Sequence, residues 1–456
     1  MGVEELGAGL ARVCARAGLG ALSLPPQRLT GGAVMESWRF AAGGSDYVLR
    51  RAPSLAFMEG RPYGHSVEAA LIEAARAKGV TAPEVVAVLE EADGLGSGFV
   101  MRALPGTADP KVILACDDPG ALLRHIARDL ARIHSLRQGD VPAGVPVMDY
   151  RAAIADLRQQ FIDAGGDRPI IALGLRWLED NCPSPVEPVL NHGDYRMGNL
   201  LVDGSVLTGV LDWEIAHFGD PHEDLAFGCM AVWRFARYDR PALGLGSIAD
   251  YIAAYEAEAG VTIDRARFRF WTIYRTVWWA LGCLKMAAQW RSGADRMLER
   301  VVISRRTSEQ ELDLLLLLEE DAPEEKRSSR LIQLPADQVY SWTPKGDAAL
   351  GEIATAVSEW LATIKDRVEG HDRFQLAVAR NALGILARDD AKGRYTNICD
   401  YADDRDVCRM ILAGDRTLAD GDMLDALRIR ALASIEVDSP KYPALDVARR
   451  MWIEEE

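Results

Sequence analysis

Three oxygen-bearing side chains lie close together in the sequence and could hold a metal ion with phosphate groups. Asn199 follows Asp194 in the same short segment, and Asp212 comes after two intervening apolar runs. Proteins bind Mg²⁺ through one or two carboxylates and a few other oxygens, and phosphate oxygens of the ligand complete the shell. Two carboxylates and one amide brought to one place therefore indicate a site for a magnesium-bound phosphate chain.

The elements around these side chains predict how they are brought together. The apolar runs 199–202 and 206–211 are separated by Asp203 and Gly204, a pair typical of a tight β-hairpin turn. The loop before the first strand and the end of the second strand, where Asp212 stands, then meet at the same end of the hairpin. We expect the three polar groups to be held there by a rigid element.

A longer ordered pattern extends this segment. HGD at 192–194 is followed by Asn199, by LDWE at 211–214, by GDP at 219–221 and by Asp224. Protein kinases have an Asp, an Asn and a metal-binding Asp in the same order. The whole pattern resembles the aminoglycoside phosphotransferase superfamily. We prefer this interpretation to a surface hairpin with scattered acids, because five ordered elements coincide.

The resemblance implies a role for each residue of the pattern. Asp194 would orient the hydroxyl group of an acceptor and accept its proton, while Asn199 and Asp212 would hold Mg²⁺ against the phosphates of ATP. Asp220 would cap the next helix and brace the loop that carries Asp194, and His192 and Asp224 would also give structural support.

Upstream of this segment, the sequence predicts a small antiparallel sheet. The first three strands are predicted at 29–32, 37–42 and 46–51, and a further hairpin at 85–89 and 98–102. In kinase-like folds such a sheet forms the nucleotide-binding lobe. The resemblance then implies that Gly31 and Gly32 approach the phosphates and that backbone groups near Met101 and Ala103 bind adenine.

The position of Arg50, at the end of the third predicted strand, is where related kinases have a phosphate-binding lysine. Arginine can also bind phosphate, through two parallel hydrogen bonds, but the two side chains are not equivalent. Arg51 is the alternative if Arg50 faces solvent. Glu68, in a helix predicted at 65–78, would pair with Arg50, and Glu73 is the alternative partner.

Length and composition limit the class of protein. The chain has 456 residues, and its 49% hydrophobic and 26% charged residues are ordinary for a folded protein. The net charge of −16 argues against a nucleic-acid groove, and seven scattered cysteines indicate neither a disulfide framework nor a zinc site. No secretory signal, membrane-spanning segment or GxxxxGK[ST] loop is found, so we expect a cytoplasmic protein without a Walker-type site.

The expected fold class is α+β: a bilobal protein-kinase-like fold followed by a separate all-α domain. We predict a nucleotide-binding lobe at 1–103, a helical lobe with the hairpin at 104–321, a charged linker at 322–335 and an all-helical accessory domain at 336–456. The accessory domain shows no cluster of residues suited to catalysis, which favours a docking or covering role. The oligomeric state is left open.

The expected function is transfer of the γ-phosphoryl group of ATP to a hydroxyl group of a small molecule. VLRRAP at 48–53 and the string from 192 to 226 are similar to the kinase domains of acyl-CoA dehydrogenase family members ten and eleven. This similarity implies a 4-hydroxyacyl-CoA as acceptor. Four arginines are hypothetical contacts for its phosphates: Arg51, Arg61, Arg102 and Arg196. The alternatives are an antibiotic kinase acting on aminoglycosides or macrolides, and a nucleotide-binding pseudokinase or interaction module.

Overall fold

The fold was obtained as a computed structural model, which describes residues 2–29, 35–295, 297–327, 350–392 and 404–453. Residue contacts group the chain into two compact units. The first unit comprises Met1–Asp149 and Ser184–Trp271, and the second comprises Tyr150–Pro183 and Thr272–Glu456. All strands named below belong to the first unit.

A five-stranded sheet with the strand order β1-β2-β3-β5-β4 forms the amino-terminal part of the first unit. All of its paired neighbours are antiparallel. The turn between β2 and β3 is formed by Gly43 and Gly44, whose φ angles of 55° and 81° match the left-handed backbone of a tight hairpin turn. The strands are β1 (Gln27–Arg28), β2 (Glu36–Ala42), β3 (Ser45–Arg51), β4 (Val85–Val88) and β5 (Gly98–Arg102).

Two short sheets follow in the same unit. One pairs β6 (Val189–Asn191) with β9 (His217–Gly219), and the other is the hairpin of β7 (Leu200–Asp203) and β8 (Val206–Val210). Of the predicted strand at 29–32, residues 30–32 lie outside the described residues, and Leu29 follows the end of β1 at Arg28. The other predicted strands agree with the structure to within one or two residues at their ends.

The helices of the described residues, in chain order, are α1 (Val3–Ala17), α2 (His65–Ala77), α3 (Pro110–Ile113), α4 (Pro119–Ile133), α5 (Tyr150–Asp163), α6 (Pro169–Asp180), α7 (Pro221–Phe227), α8 (Ile248–Ala259), α9 (Arg265–Ser292), α10 (Leu298–Ser304), α11 (Thr307–Leu318), α12 (Glu324–Arg327), α13 (Leu350–Thr363), α14 (Gly370–Lys392), α15 (Asp404–Ala413), α16 (Gly421–Asp438) and α17 (Pro443–Trp452).

The apolar face of α1 covers one side of the five-stranded sheet. Leu6, Leu10 and Val13 recur at helical spacing and are buried against Phe40 and Leu49 of the sheet. A second helix, α2, contacts β4 and β5 of the same sheet. The sheet is therefore a packed layer, and its strand ends have fixed positions.

In the second unit, α11 packs against α6, α16 and α17. Several acidic side chains of α11 and the turn that follows it are buried and bonded to these later helices. Glu319 accepts hydrogen bonds from Arg428 (2.6 Å) and from the Trp452 indole (2.8 Å), and Asp313 accepts one from the Tyr442 hydroxyl (2.5 Å). Burial of these carboxylates is possible because each has a partner.

The small antiparallel sheet followed by helical regions confirms the predicted fold class. Within the second unit, α16 and α17 contact α11, α14 contacts α10 and α15 contacts α6, so the helices of 350–453 are not isolated from the helices before them. The predicted division into 1–103, 104–321, 322–335 and 336–456 stays a prediction, because most of the expected linker lies outside the described residues. Among the described residues, no helix is both long and apolar enough to cross a bilayer.

Candidate active site

The hairpin of β7 and β8 brings Asp212 next to Asn199. Leu200 pairs with Val210, and just beyond this pair the amide of Leu211 donates to the carbonyl of Asn199 at 2.9 Å. Asp212 then leaves the strand with a φ angle of 68°, a left-handed conformation that Asp tolerates better than most residues. Backbone strain of this kind often accompanies functional positions, because it fixes the direction of a side chain.

Asp194 and Asn199 are in direct contact. The side-chain nitrogen of Asn199 donates to the carboxylate of Asp194 at 2.7 Å and to its backbone carbonyl at 2.9 Å. Because both bonds use the amide nitrogen, the amide oxygen of Asn199 remains for a cation or a donor. The structure thus brings together Asp194, Asn199 and Asp212, as the order of residues in the segment predicts.

Asp224 fixes the backbone of the loop that carries Asp194. Its two carboxylate oxygens accept from the amides of His192 (2.5 Å) and Gly193 (2.8 Å), and His134 lies 3.3 Å away. Burial opposes its charge, but the hydrogen bond and charge of His134, followed by the electrostatic influence of His192 and the amide of Gly193, lower the pKa of Asp224 to about 2. Asp224 is therefore an ionised brace at the start of the loop.

Asp220 has a different place in the network. Its carboxylate caps α7 by accepting from the amide of His222 at 3.0 Å, and it also accepts from the ring of His222 and from Arg267. The prediction that Asp220 braces the loop is wrong, because the amides of His192 and Gly193 bond to the carboxylate of Asp224 and not to that of Asp220. Only the backbone carbonyl of Asp220 reaches this region, where it accepts from Asn191.

His192 connects the loop to the end of the hairpin. Its Nε2 lies 3.0 Å from the carbonyl of Leu211, its Nδ1 accepts from the amide of Asp194 at 3.2 Å, and its ring lies 4.8 Å from that of Trp213. Burial lowers the pKa of His192, which favours the neutral ring that this pattern of one donor and one acceptor requires. The hairpin end and the loop are thus one hydrogen-bonded unit.

Arg50 of β3 lies opposite the hairpin and bridges three carboxylates. The guanidinium is 3.1 Å from Glu68, 2.5 Å from Asp212 and 2.8 Å from Glu214. Burial opposes its charge, but these carboxylates together raise the pKa of Arg50 above its ordinary value. Of the two residues weighed as its partner, Glu68 makes the contact, whereas Glu73 binds Arg76 and the amide of Val85.

Two residues near Arg50 were missed by sequence reasoning as parts of the site. Glu214 accepts from Arg50 and Arg61 through the same oxygen, at 2.8 Å each. Tyr63 donates to the carbonyl of Trp213 at 2.5 Å. The sequence offers one signal for Glu214, which is its place in the LDWE string. It offers none for Tyr63, because the segment with Arg61 and Tyr63 approaches Glu214 only in the folded chain.

The other predicted nucleotide contacts differ in outcome. Gly31 and Gly32 lie outside the described residues. Met101 is paired on both sides within the sheet, and the amide of Ala103 already donates to the carbonyl of Asp46 at 3.0 Å. The Ala103 amide therefore already has an acceptor within the sheet, and adenine binding by backbone groups near Met101 and Ala103 stays a prediction.

The four arginines proposed as phosphate contacts also separate into two groups. Arg61 and Arg196 lie at the site, paired with Glu214 and Asp194. Arg51 is buried, with its guanidinium 3.8 Å from Glu36, and Arg102 is paired with Glu84 at the surface.

The oxygens at this site fit a Mg²⁺ ion bound mainly through a phosphate ligand. Asp212 supplies a carboxylate and Asn199 an amide oxygen, which are hard ligands of the type that Mg²⁺ prefers. Among the described residues, no group of three or more His, Cys, Asp or Glu side chains is arranged to hold a metal ion by itself. Asp212 and Asn199 would supply two oxygen ligands, and phosphate oxygens would complete the shell.

The charges at the site are suited to a reaction at phosphate. Burial raises the pKa of Asp194, and Arg196 opposes this effect. Burial also raises the pKa of Glu68, to about 7, despite the opposing charge of Arg50. A carboxylate able to accept a proton thus lies beside oxygen ligands for a cation and opposite a fixed guanidinium.

Solved structures show the same fold. A Ralstonia eutropha protein described as an aminoglycoside phosphotransferase superposes with a TM-score of 0.55 at 20% identity, covering 68% of this chain and 97% of that one. A thermostable mutant of the aminoglycoside phosphotransferase APH(4)-Ia, solved with AMP-PNP and hygromycin B, gives a TM-score of 0.50 at 18% identity, with coverages of 69% and 99%. The bilobal kinase-like fold expected from the sequence is confirmed.

Sequence comparison also finds relatives that are named as acyl-CoA dehydrogenase family members. Acyl-CoA dehydrogenase family member 10 of Mus musculus is 27% identical over 253 residues, which are 48% of this chain and 22% of that protein. Acyl-CoA dehydrogenase family member 11 of Gallus gallus is 28% identical over 251 residues, which are 52% and 31% of the two chains. This chain therefore spans less than a third of the length of these relatives.

Residues 27–271, more than half of the chain, match the phosphotransferase enzyme family APH, and the chain belongs to that family.

Proposed function

We propose that this protein transfers the γ-phosphoryl group of ATP to a hydroxyl group of a small molecule. One observation carries the proposal: the end of a β-hairpin gathers Asp194, Asn199 and Asp212 opposite the guanidinium of Arg50. Phosphoryl transfer needs little covalent help from the protein, since it depends on positioning and on neutralising charge. The solved structure of the same fold that holds AMP-PNP supports a nucleoside triphosphate as the donor.

The residues have distinct tasks in this reaction. The acceptor oxygen bonds to the γ-phosphorus, the bond from that phosphorus to the β–γ bridging oxygen breaks, and ADP leaves. Asp194 orients the acceptor hydroxyl and takes its proton. Arg50, held by Glu68, faces the phosphates with a fixed positive charge. Mg²⁺, bound by Asn199 and Asp212 with the nucleotide, would neutralise phosphate charge.

A hydroxyacyl-CoA is the acceptor that we propose. Its support is the similarity to two relatives named as acyl-CoA dehydrogenases, whose names refer to acyl-CoA substrates. Arg196 beside the proposed base and Arg61 beside Glu214 add cationic side chains, with exposed side-chain fractions of 24% and 16%. Partly exposed guanidiniums of this kind can form two parallel hydrogen bonds with a phosphate or carboxylate group. The hydroxyl group of the acyl chain would then lie beside Asp194.

The experiment measures ATP-dependent phosphoryl transfer to a panel of hydroxyacyl-CoAs, aminoglycosides and macrolides. Asp194→Ala should abolish transfer and leave ATP binding nearly intact, whereas Asp212→Ala should also weaken binding of Mg-ATP. Asp203→Ala, in the exposed turn at the other end of the same hairpin, is the matched control and should keep wild-type turnover. Wild-type turnover in both site variants would contradict the proposal, and transfer to an antibiotic alone would contradict the acceptor.

A further inference from the structure

Helix α13 of the second unit exposes a stripe of large apolar side chains. Four of them are between 42% and 64% exposed, and a fifth, just after the helix, is half-buried: Leu350, Ile353, Val357, Trp360 and Ile364. Steps of three and four residues alternate along this set, which is the a and d spacing of a heptad repeat, so its members share one face. A contiguous exposed apolar patch marks an interaction surface, whereas isolated apolar residues do not.

These large side chains are not what holds α13 on its neighbour α14. The buried residues of α13 are small, namely Gly351 and Ala354. The amide of Gly351 donates to the carboxylate of Asp390 at 2.7 Å, and the guanidinium of Arg380 donates to the carbonyl of Ser358 at 3.2 Å. The two helices are thus joined by small residues and hydrogen bonds, and the apolar stripe is left on the surface of the described residues.

Opposite charges lie at the two ends of the stripe. Glu352 is in the first turn of α13, and Lys365 begins the net basic helical turn Lys365–Arg367 that follows the helix. Both side chains are exposed. Two parallel copies of α13 would place like charges side by side at each end. Two antiparallel copies would bring the acidic start of one next to the basic end of the other, and would also oppose their helix dipoles.

One antiparallel register satisfies the stripe and the charges together. With Val357 of one copy opposite Trp360 of the other, Ile353 lies opposite Ile364 and Glu352 lies opposite Lys365. Each a position then meets a d position. A twofold axis repeats every contact, so each of these pairs occurs twice in the interface.

We propose that this face of α13 binds the same face of a second copy of the chain in an antiparallel, twofold-symmetric dimer. Closed twofold contacts are the commonest form of assembly among homo-oligomers. Trp360, near the centre of the stripe, is the type of residue that carries most of the binding energy in such interfaces. The inference does not depend on the proposed phosphoryl transfer, since it rests on α13 and the turn after it.

The first experiment is sedimentation velocity of the full chain over a dilution series. The wild type should form a dimer that dissociates on dilution. Trp360→Asp should weaken the dimer by roughly 30-fold or more, as expected for a central hot spot. Ile162→Asp is the matched control, because Ile162 is 53% exposed on α5 of the same unit but lies outside the stripe. Its dissociation constant should equal that of the wild type.

The second experiment reverses the charges at the ends of the stripe. Glu352→Lys and Lys365→Glu should each weaken the dimer by roughly tenfold at low ionic strength, because each change creates two like-charge contacts. The double variant carries both changes and restores opposite charges, so its dissociation constant should return close to that of the wild type. Far-UV circular dichroism and thermal unfolding of each variant separate a loss of folding from a loss of the interface.

Each result supports or overturns the inference. A wild type that stays monomeric at the highest concentration overturns it, because the stripe would then be covered by residues 328–349 of the same chain or by another protein. A dimer that survives Trp360→Asp also overturns it, since another face would be responsible. A double charge variant that is as weak as either single variant overturns the antiparallel register. Restoration in the double variant supports it, and catalytic activity plays no part in the measurement.

Discussion

Replacing Asp224 by Asn should destabilise the first unit and disorganise the loop that carries Asp194. The Asp224 carboxylate accepts from two consecutive backbone amides, those of His192 and Gly193, and it is fully buried. An Asn side chain has one acceptor oxygen, so one of these amides would face an NH₂ group. Loss of a charge-assisted hydrogen bond and burial of an unsatisfied amide together cost about 3–5 kcal/mol in the free energy of unfolding.

The pKa of Asp224 gives a second measure of the same effect. A decrease from 3.8 to about 2 corresponds to roughly 2.5 kcal/mol of stabilisation that depends on the charge. Because the folded-state pKa is the lower one, this stabilisation is present above about pH 4 and is lost as the pH falls toward 2. The stability difference between wild type and Asp224→Asn should therefore narrow as the solution is acidified.

The assay is urea unfolding followed by tryptophan fluorescence across this pH range, together with kcat where both proteins are folded. Asp220→Asn is the matched control, since Asp220 is also a buried carboxylate with a pKa of about 2 but caps α7. Both variants should lose stability, and Asp224→Asn should lose much more of its kcat. Equal kcat values in the two variants, or a stability difference independent of pH for Asp224→Asn, would refute the bracing role.

Three further changes test other parts of the structure. Arg50→Lys keeps the charge but cannot contact Glu68, Asp212 and Glu214 together, so KM for ATP should rise roughly tenfold in steady-state assays. Because burial raises the pKa of Glu68 to about 7, the stability it contributes falls as the pH rises from about 4.5 to 7, and Glu68→Gln should remove this slope from unfolding curves. Arg428→Met leaves the buried carboxylate of Glu319 without its cation and should lower the free energy of unfolding of the second unit by about 3–5 kcal/mol. An unchanged urea midpoint for Arg428→Met would show that the Trp452 indole alone is a sufficient partner.

The part of the site that the sequence predicts well is the part built by local structure. Asp194, Asn199 and Asp212 flank one hairpin, and the turn chemistry of Asp203 and Gly204 is enough to place its ends together. The order of these residues also carried the resemblance that the family match confirms. Motif and geometry agree here because both depend on a short stretch of chain.

The part that could not be predicted depends on long-range contacts. Glu214 and Arg61 are 153 positions apart, and nothing in their local sequences indicates that they share a hydrogen bond. Asp224 and Asp220 are equally plausible braces from the sequence, because only the path of α7 decides which carboxylate faces the loop. In the same way, the acids of α11 are buried because α16 and α17 cover them.

Arg50 and Arg61 contact the same oxygen of Glu214, and this arrangement affects how nucleotide binding depends on ionic strength. Arg50 and Arg61 are already neutralised by a carboxylate belonging to the chain itself. A polyphosphate that binds these arginines would therefore replace the carboxylate of Glu214, and few bound ions would be released into solution. Affinity for the nucleotide should then vary only weakly with added potassium chloride, because the tethered carboxylate is present at the same local concentration in any buffer.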